Sequence, residues 1–215
     1  MVSKIKSCVF ISGNGSNLKA LIKSSRDYSF PIKIQLIISN NINAKGLRFA
    51  KQYSIPYIFF SSDNKEKFER NSLCEIKKRK IKFLCLAGFM KILSNNFIKT
   101  FGYKIINIHP SLLPKYKGLN THKRVLEAKD SYHGASVHFV TTKLDDGPVI
   151  IQGKIEVNKS DNEDTLKEKV HNVEYEIYPL AIKWFTEGIL KQSDTSYIFN
   201  DEEFTSPIEH IMVKQ

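Results

Sequence analysis

The stretch Ile105-Ile-Asn-Ile-His-Pro-Ser-Leu-Leu-Pro-Lys-Tyr-Lys-Gly118 decides how the rest of the chain is read. Ile105, Ile106 and Ile108 are β-branched and apolar, as a strand buried in a sheet requires. Asn107 and His109 interrupt the run two residues apart, so on a strand they project from the same face. Pro110 has no N–H to donate and ends the ladder. An amide beside an imidazole at a strand terminus can polarise a carbonyl oxygen or handle a proton. Taken alone, the same pair can also be two satisfied polar groups of a core.

Upstream, strands alternate with helices. Lys6–Ser12 reads as a strand, and the turn Gly13-Asn-Gly-Ser-Asn17 follows at once, before a helical period at Leu18, Leu21 and Ile22. Strand, glycine turn and helix form the layout of an anion site, with Ser16 or Asn17 available as a cap. The spacing G-x-G-x-N is neither the dinucleotide fingerprint nor a Walker loop. It therefore suggests a phosphate without a dinucleotide, and an ordinary βα turn fits it equally. Lys33–Ser39, Pro56–Phe60 and Lys82–Gly88 read as further strands, and Ala44–Tyr53, Lys65–Lys80 and Asn95–Phe101 as helices, the last capped by Ser94. This alternation predicts an α/β fold, a doubly wound and mostly parallel sheet. Ligands of such sheets gather beyond the carboxyl ends of the strands. Three features fall there: the 13–17 turn, the apolar loop Phe89–Leu93, and Asn107 with His109.

Downstream, Thr121–Lys129 reads as a short helix and His133–Thr142 as a strand with Ser136, His138 and Val140 on one face. Leu144-Asp-Asp-Gly-Pro148 is a turn by composition, and Val149–Val157 returns as an antiparallel neighbour. Ser160-x-x-Glu163 reads as a capping box that opens a helix to about Glu187, on which His171 and Glu174 share a face. The polar tail from Lys191 holds a weak strand at Tyr197–Phe199. With no repeat, linker or low-complexity segment, the chain is expected to form one domain: a nucleotide-binding half over about 1–105, a catalytic half over about 106–190, and the tail 191–215.

Composition narrows the class. The 215 residues are 41% hydrophobic, enough for a sizeable core and too apolar for a disordered chain. No apolar run has the length of a membrane span, and the start shows no secretory h-region, so the cytoplasm is the expected compartment. Cys8, Cys74 and Cys85 are far apart and suit reduced thiols, and no Cys/His pair has zinc-ligand spacing, so no metal is expected. The formal charge of +11 favours acidic partners such as phosphates and carboxylates. Basic residues are not interleaved with aromatics in the manner of RNA binders, so no nucleic acid partner is expected.

In order and spacing, I-S-G-N-G-S-N-L at 11–18, L-A-G-F-M-K-I-L at 86–93, N-I-H-P-S-L-L-P-K-Y at 107–116, H-G-A-S-V-H-F-V at 133–140 and L-D-D-G-P-V-I at 144–150 closely resemble the glycinamide ribonucleotide formyltransferases, a folate-dependent family of purine synthesis. The resemblance covers nearly the whole chain. N-x-H-P-S-L-L-P alone is shared with other 10-formyltetrahydrofolate enzymes, and the G-N-G-S-N turn with the overall length selects the member.

The resemblance implies transfer of a formyl group from 10-formyltetrahydrofolate, as co-substrate, to the glycinamide amine. Gly15, Ser16 and Asn17 would hold the ribonucleotide phosphate, and Glu174, with His171 nearby, would reach the ribose. Met90, Lys91, Ile92 and Leu93 would line the folate pocket together with Lys65 and Asn107, and the loop near Asp145 would close it. Asn107 would donate to the formyl oxygen as it becomes an oxyanion. His109 would be the proton donor, and Asp145 would pair with it and favour imidazolium. Ser136 and His138 would support these groups from behind. Asn120 replaces a frequent histidine of the family pattern, Lys117 a proline, and Lys91 an arginine; Lys65 falls near a usual arginine, and His171 stands for a Gln or Lys. A lysine keeps an arginine's charge and loses its bidentate fork, so these changes bear on affinity and not on the chemistry. Two other readings remain: a sister 10-formyltetrahydrofolate enzyme, either the hydrolase or one with another acceptor such as methionyl-tRNA, and a non-catalytic basic nucleotide-binding protein. The first would need an added terminal domain, and the second leaves Asn107, His109 and Asp145 without a purpose.

Overall fold

The computed structural model describes residues 4–192, 197–199, 202–204 and 206–211. The chain packs as two compact units, one of residues 1–107 with 140–142, the other of 108–139 with 143–215.

The first unit is built on strands β1 (Ile5–Ile11), β2 (Ile32–Ser39), β3 (Tyr57–Phe59) and β4 (Phe83–Leu86), and on the first three residues of β5 (Ile105–His109). Each neighbouring pair within it, β1 with β2 and β4, β2 with β3, and β4 with β5, is parallel. Helices α1 (Ser16–Arg26), α2 (Leu47–Gln52), α3 (Lys65–Lys78) and α4 (Asn95–Phe101) connect the strands, so the mostly parallel, doubly wound sheet anticipated from the alternation is present. β1, β2 and β4 are buried over most of their length and correspondingly apolar, while β3 at the edge is largely exposed. Phe10 on β1 is the hub of an aromatic core, with ring centroids 5.8 Å from Phe68, 5.2 Å from Phe89 and 6.0 Å from Phe97. This cluster takes one residue from α3, one from α4 and one from the segment after β4, and so ties that segment to the sheet.

The second unit holds α5 (Thr121–Ala128), β6 (Tyr132–Phe139), β7 (Val149–Glu156), α6 (Glu163–Thr186) and four short strands, β8 (Leu190–Gln192), β9 (Tyr197–Phe199), β10 (Glu202–Phe204) and β11 (Ile208–Ile211). β6 and β7 are antiparallel, as their short connection requires, and β11 joins the free side of β7 in parallel. The tail anticipated as polar with one weak strand thus adds a strand to this sheet and forms an antiparallel β8–β9–β10 ribbon. α6 packs on β6 and β7 through Leu166, Val170, Val173 and Ile177, all fully buried.

Three local expectations are corrected. Neither Ser16 nor Asn17 caps α1: Gly15 holds the cap position in the left-handed region (φ 74°), and both residues are already helical. The capping box of α6 is Asn162 with Thr165 and not Ser160 with Glu163, because the helix begins at Glu163 and a box must straddle its first turn. β6 ends at Phe139, so Val140 does not continue the face of Ser136 and His138; its N–H bonds Ile105 O at 2.9 Å and its side chain packs on the core of the first unit. Among the described residues no helix is long and apolar enough to cross a membrane. Cys8 and Cys85 are buried free thiols and Cys74 an exposed one.

Candidate functional site

In the first unit, parallel pairing sets three strand ends level. Phe10 pairs with Leu86, and Leu86 with Asn107. The chain leaves β1 into the 13–17 turn and leaves β4 into the 87–93 segment, so both emerge at the edge that carries Asn107. Asn107 is half-buried at that edge.

The 13–17 turn is shaped by backbone contacts. Gly15 opens α1 with no side-chain cap, and Lys19 N–H bonds Gly15 O at 2.9 Å. The first N–H groups of a helix have no partner within it, so an uncapped start offers donors and the positive end of the helix dipole to an anion. Gly15 is pressed against Gly46, just before α2: a Cβ on Gly15 would lie 2.5 Å from Gly46 Cα. Gly46 N–H also bonds Gly13 O at 2.9 Å. Sequence reasoning passed over Gly46, although a glycine at the mouth of a helix is the signal of such an approach.

The 89–93 segment is buried at both ends and exposed between them. Phe89 and Leu93 are sunk in the aromatic core, while Met90 (62% exposed) and Ile92 (48%) face outward with Lys91. Leu93, expected to line the folate pocket, is therefore an anchor of the segment, and Met90, Lys91 and Ile92 form its outer surface. Lys65 is the first residue of α3. It lines a cleft of about 1150 Å³ along α3 and α4 with Ser94 and Asn96, a lining that includes none of residues 90–93.

In the second unit, His109 is 5% exposed and both of its ring nitrogens meet acceptors. Nδ1 is 3.3 Å from Asp145 Oδ2, and Nε2 is 2.9 Å from the carbonyl of Tyr116. Asp145 is held in turn by the Gly118 N–H at 2.9 Å, and its other oxygen lies 3.7 Å from His138 Nε2. His138 Nδ1 meets Phe139 O at 2.9 Å, and burial lowers its pKa despite that carbonyl and Asp145. His109 is thus fixed on both sides by groups the sequence places after it, and the expected partnership with Asp145 is realised as a buried contact.

Ser136 acts on the segment after His109 and not on the ring. Its hydroxyl donates to Ser111 O at 2.6 Å and accepts from Leu113 N–H at 3.0 Å and from Gln152 Nε2 at 2.9 Å. Gln152 Nε2 also bonds Leu113 O at 2.7 Å. The role of Gln152 shows only when β6 and β7 are paired. His171 and Glu174 lie on α6 as expected, 4.0 Å apart, with Glu174 3% exposed. Burial lowers the pKa of His171, helped by Lys167. His122 Nδ1 is 3.0 Å from His133 Nε2, a pair that sequence spacing did not single out. Asn120 adopts a left-handed conformation (φ 57°) immediately before α5. Among the described residues no group of three or more His, Cys, Asp or Glu side chains is placed to hold a metal ion.

Residues 5–182 match the family model described as formyl transferase. The phosphoribosylglycinamide formyltransferase of Escherichia coli is 44% identical over 191 residues, which are 87% of this chain and 90% of that protein. The enzyme of the same name from Haemophilus influenzae is 42% identical over 88% of this chain and 91% of its own length. Among solved structures, the phosphoribosylglycinamide formyltransferase of Coxiella burnetii superposes with a TM-score of 0.89 at 38% identity, covering 96% of this chain and 99% of that one. A family model matched over most of the chain, and relatives 44% and 42% identical over most of both lengths, show that the chain belongs to the formyl transferase family.

Proposed function

We propose that the chain transfers the formyl group of 10-formyltetrahydrofolate to the amine of glycinamide ribonucleotide, giving formylglycinamide ribonucleotide and tetrahydrofolate in purine biosynthesis. The observation that carries this reading is the His109–Asp145 contact, 3.3 Å between two nearly buried groups, in a chain so similar to named formyltransferases. The glycinamide nitrogen attacks the formyl carbon, and the carbonyl oxygen becomes an oxyanion. The nitrogen then loses a proton, N10 of the folate gains one, and the C–N10 bond breaks. Asn107 donates to the oxyanion, a contribution on the order of 10²–10³ in rate for one preorganised donor. His109, oriented by Asp145 and the Tyr116 carbonyl, supplies the proton and stabilises the negative charge.

Gly15, Ser16 and Asn17 bind the phosphate through the uncapped start of α1. Glu174 and His171 serve the ribose. Met90, Lys91 and Ile92 present the surface against which the folate lies, with Leu93 anchoring it and Lys65 meeting its carboxylate. Ser136 and His138 act through the residues they hold. The enzyme works on these two small molecules in the cytoplasm, as a monomer or homodimer, without nucleic acid or membrane.

Mixing the protein with a 10-formyl folate and glycinamide ribonucleotide, and following the absorbance of the deformylated folate, tests the reading. Release that depends on the amine is expected. No change with active substrates refutes formyl transfer, and release without the amine identifies a hydrolase instead.

A further inference from the structure

Both ends of the 89–93 segment are tied by side chains that have no place in the chemistry. At its start, the β1–β4 ladder runs on past the strands: Ala87 N–H bonds Phe10 O at 2.9 Å and Ser12 N–H bonds Gly88 O at 3.1 Å. The Ser12 hydroxyl then accepts from Met90 N–H at 2.8 Å and donates to Asn40 Oδ1 at 2.6 Å. Asn40 is braced by Ser62 at 3.2 Å, and Asn41 Nδ2 bonds Ser12 O at 3.1 Å. At its end, Glu69 of α3 is 6% exposed and spends both carboxylate oxygens on one residue. Oε1 accepts from Ser94 N–H at 2.7 Å and Oε2 from the Ser94 hydroxyl at 2.5 Å, while that hydroxyl caps α4 through Phe97 N–H at 3.0 Å.

A buried carboxylate is costly unless hydrogen-bonded, and a serine needs no such partner to cap a helix. An α3–α4 contact alone could be made by apolar side chains. What Glu69 adds is a fixed position for Ser94 N–H, the first backbone group after Leu93. With Ser12 fixing Met90 N–H, the backbone between them has both ends set, and Phe89 and Leu93 in the core leave Met90, Lys91 and Ile92 one way to face.

We infer that Glu69 and Ser12 are positioning residues for the folate, acting through the backbone of residues 90–94; this rests on the formyltransferase reading and on the folate lying against Met90–Ile92. Glu69→Ala should raise the KM for the formyl folate about tenfold, the scale of one lost hydrogen bond to a charged group, and leave the KM for glycinamide ribonucleotide within about twofold. Glu69→Gln keeps an acceptor for Ser94 N–H and should recover most of the loss. Ser12→Ala should show the same one-sided change, and it decides the matter if Glu69→Ala does not fold. A residue that only holds the fold together would lower the active fraction and leave both KM values alone. Folded variants with an unchanged folate KM, or with both KM values raised together, overturn the inference. Absence of transfer in the unaltered protein would instead defeat the function on which it rests.

Discussion

The 13–17 turn and the His109–Asp145 pair solve different problems with different parts of the chain. The turn is made of consecutive residues and, as a phosphate site, would work through backbone N–H donors, so its precision depends on how closely Gly15 and Gly46 approach. The His109 centre is made of side chains from distant residues, and its precision depends on the hydrogen bonds that Asp145, Tyr116 and Gly118 make across loops. A backbone site should be damaged by adding atoms and a side-chain site by removing them. Adding should disturb binding, and removing should disturb turnover.

The largest effect follows from removal. His109→Ala should lower kcat by about 10²–10⁴, the usual worth of a general acid–base group, while glycinamide ribonucleotide still binds. Asp145→Asn should fall between this variant and the unaltered protein, because Tyr116 O still orients the ring. Steady-state kinetics with an independent titration of the ribonucleotide separate the two quantities. A His109→Ala variant that retains kcat would remove the histidine from the reaction.

Addition is the converse and should cost less. A Cβ on Gly46 would lie 2.9 Å from Gly15 Cα and 3.0 Å from Ile11 Cδ1, so the turn must give way. Gly46→Ala should raise the KM for glycinamide ribonucleotide about tenfold and spare the folate KM and the saturated rate. Gly15→Ala adds a positive φ to a closer contact and should be worse. A Gly46→Ala variant that loses turnover at saturating substrate, with its KM intact, would break the distinction between a backbone site and a side-chain site.

The same distinction explains what could be read from the sequence. The parallel alternation, the 13–17 turn and the Asn107/His109 strand end are local patterns, in which period and turn chemistry act within a few residues. The partnership of Asp145 with His109 is not local; it came from a family resemblance, and no spacing rule would have paired them. Ser160 fitted the capping-box pattern as well as Asn162 does, and the choice was made by where Leu166 and Val170 had to be buried. Gly46, Gln152 and Glu69 were missed because their meaning lies in the element they approach. Glu69, in a helix full of charge, looked like one more solvated residue until α4 was placed against it.

Between the two regions in severity stands the segment that follows His109. Ser136→Ala leaves Leu113 N–H without its acceptor and one donor of Gln152 with only Leu113 O. A buried donor left unpaired costs about 1–3 kcal/mol, so the variant should unfold at correspondingly lower urea, with kcat reduced less than in His109→Ala. A Ser136→Ala protein of full stability and low kcat would place Ser136 in the chemistry and not behind it.

The smallest effect concerns acid. His133 is 1% exposed and its pKa is lowered to about 3, by burial first and then by His122; that of His122 is lowered to about 4, by burial and then by His171. His138 and His171 are shifted the same way. A histidine with a depressed folded pKa binds fewer protons folded than unfolded, so its contribution is complete above the unfolded value near 6.5 and is lost as pH falls toward the folded one. Carboxylates do not blur this window. Asp130, lowered by its bond from Tyr116, and Asp146, lowered by Lys117, act only below about pH 4. From pH 7 to 6 each imidazole of the His122–His133 pair should cost somewhat under about 1 kcal/mol, and each further unit up to about 1.4 kcal/mol. Urea midpoints at pH 7, 6 and 5 should therefore fall in the unaltered protein and fall less steeply in His133→Asn. Equal slopes would mean that the His122–His133 pair keeps company with water in the folded chain.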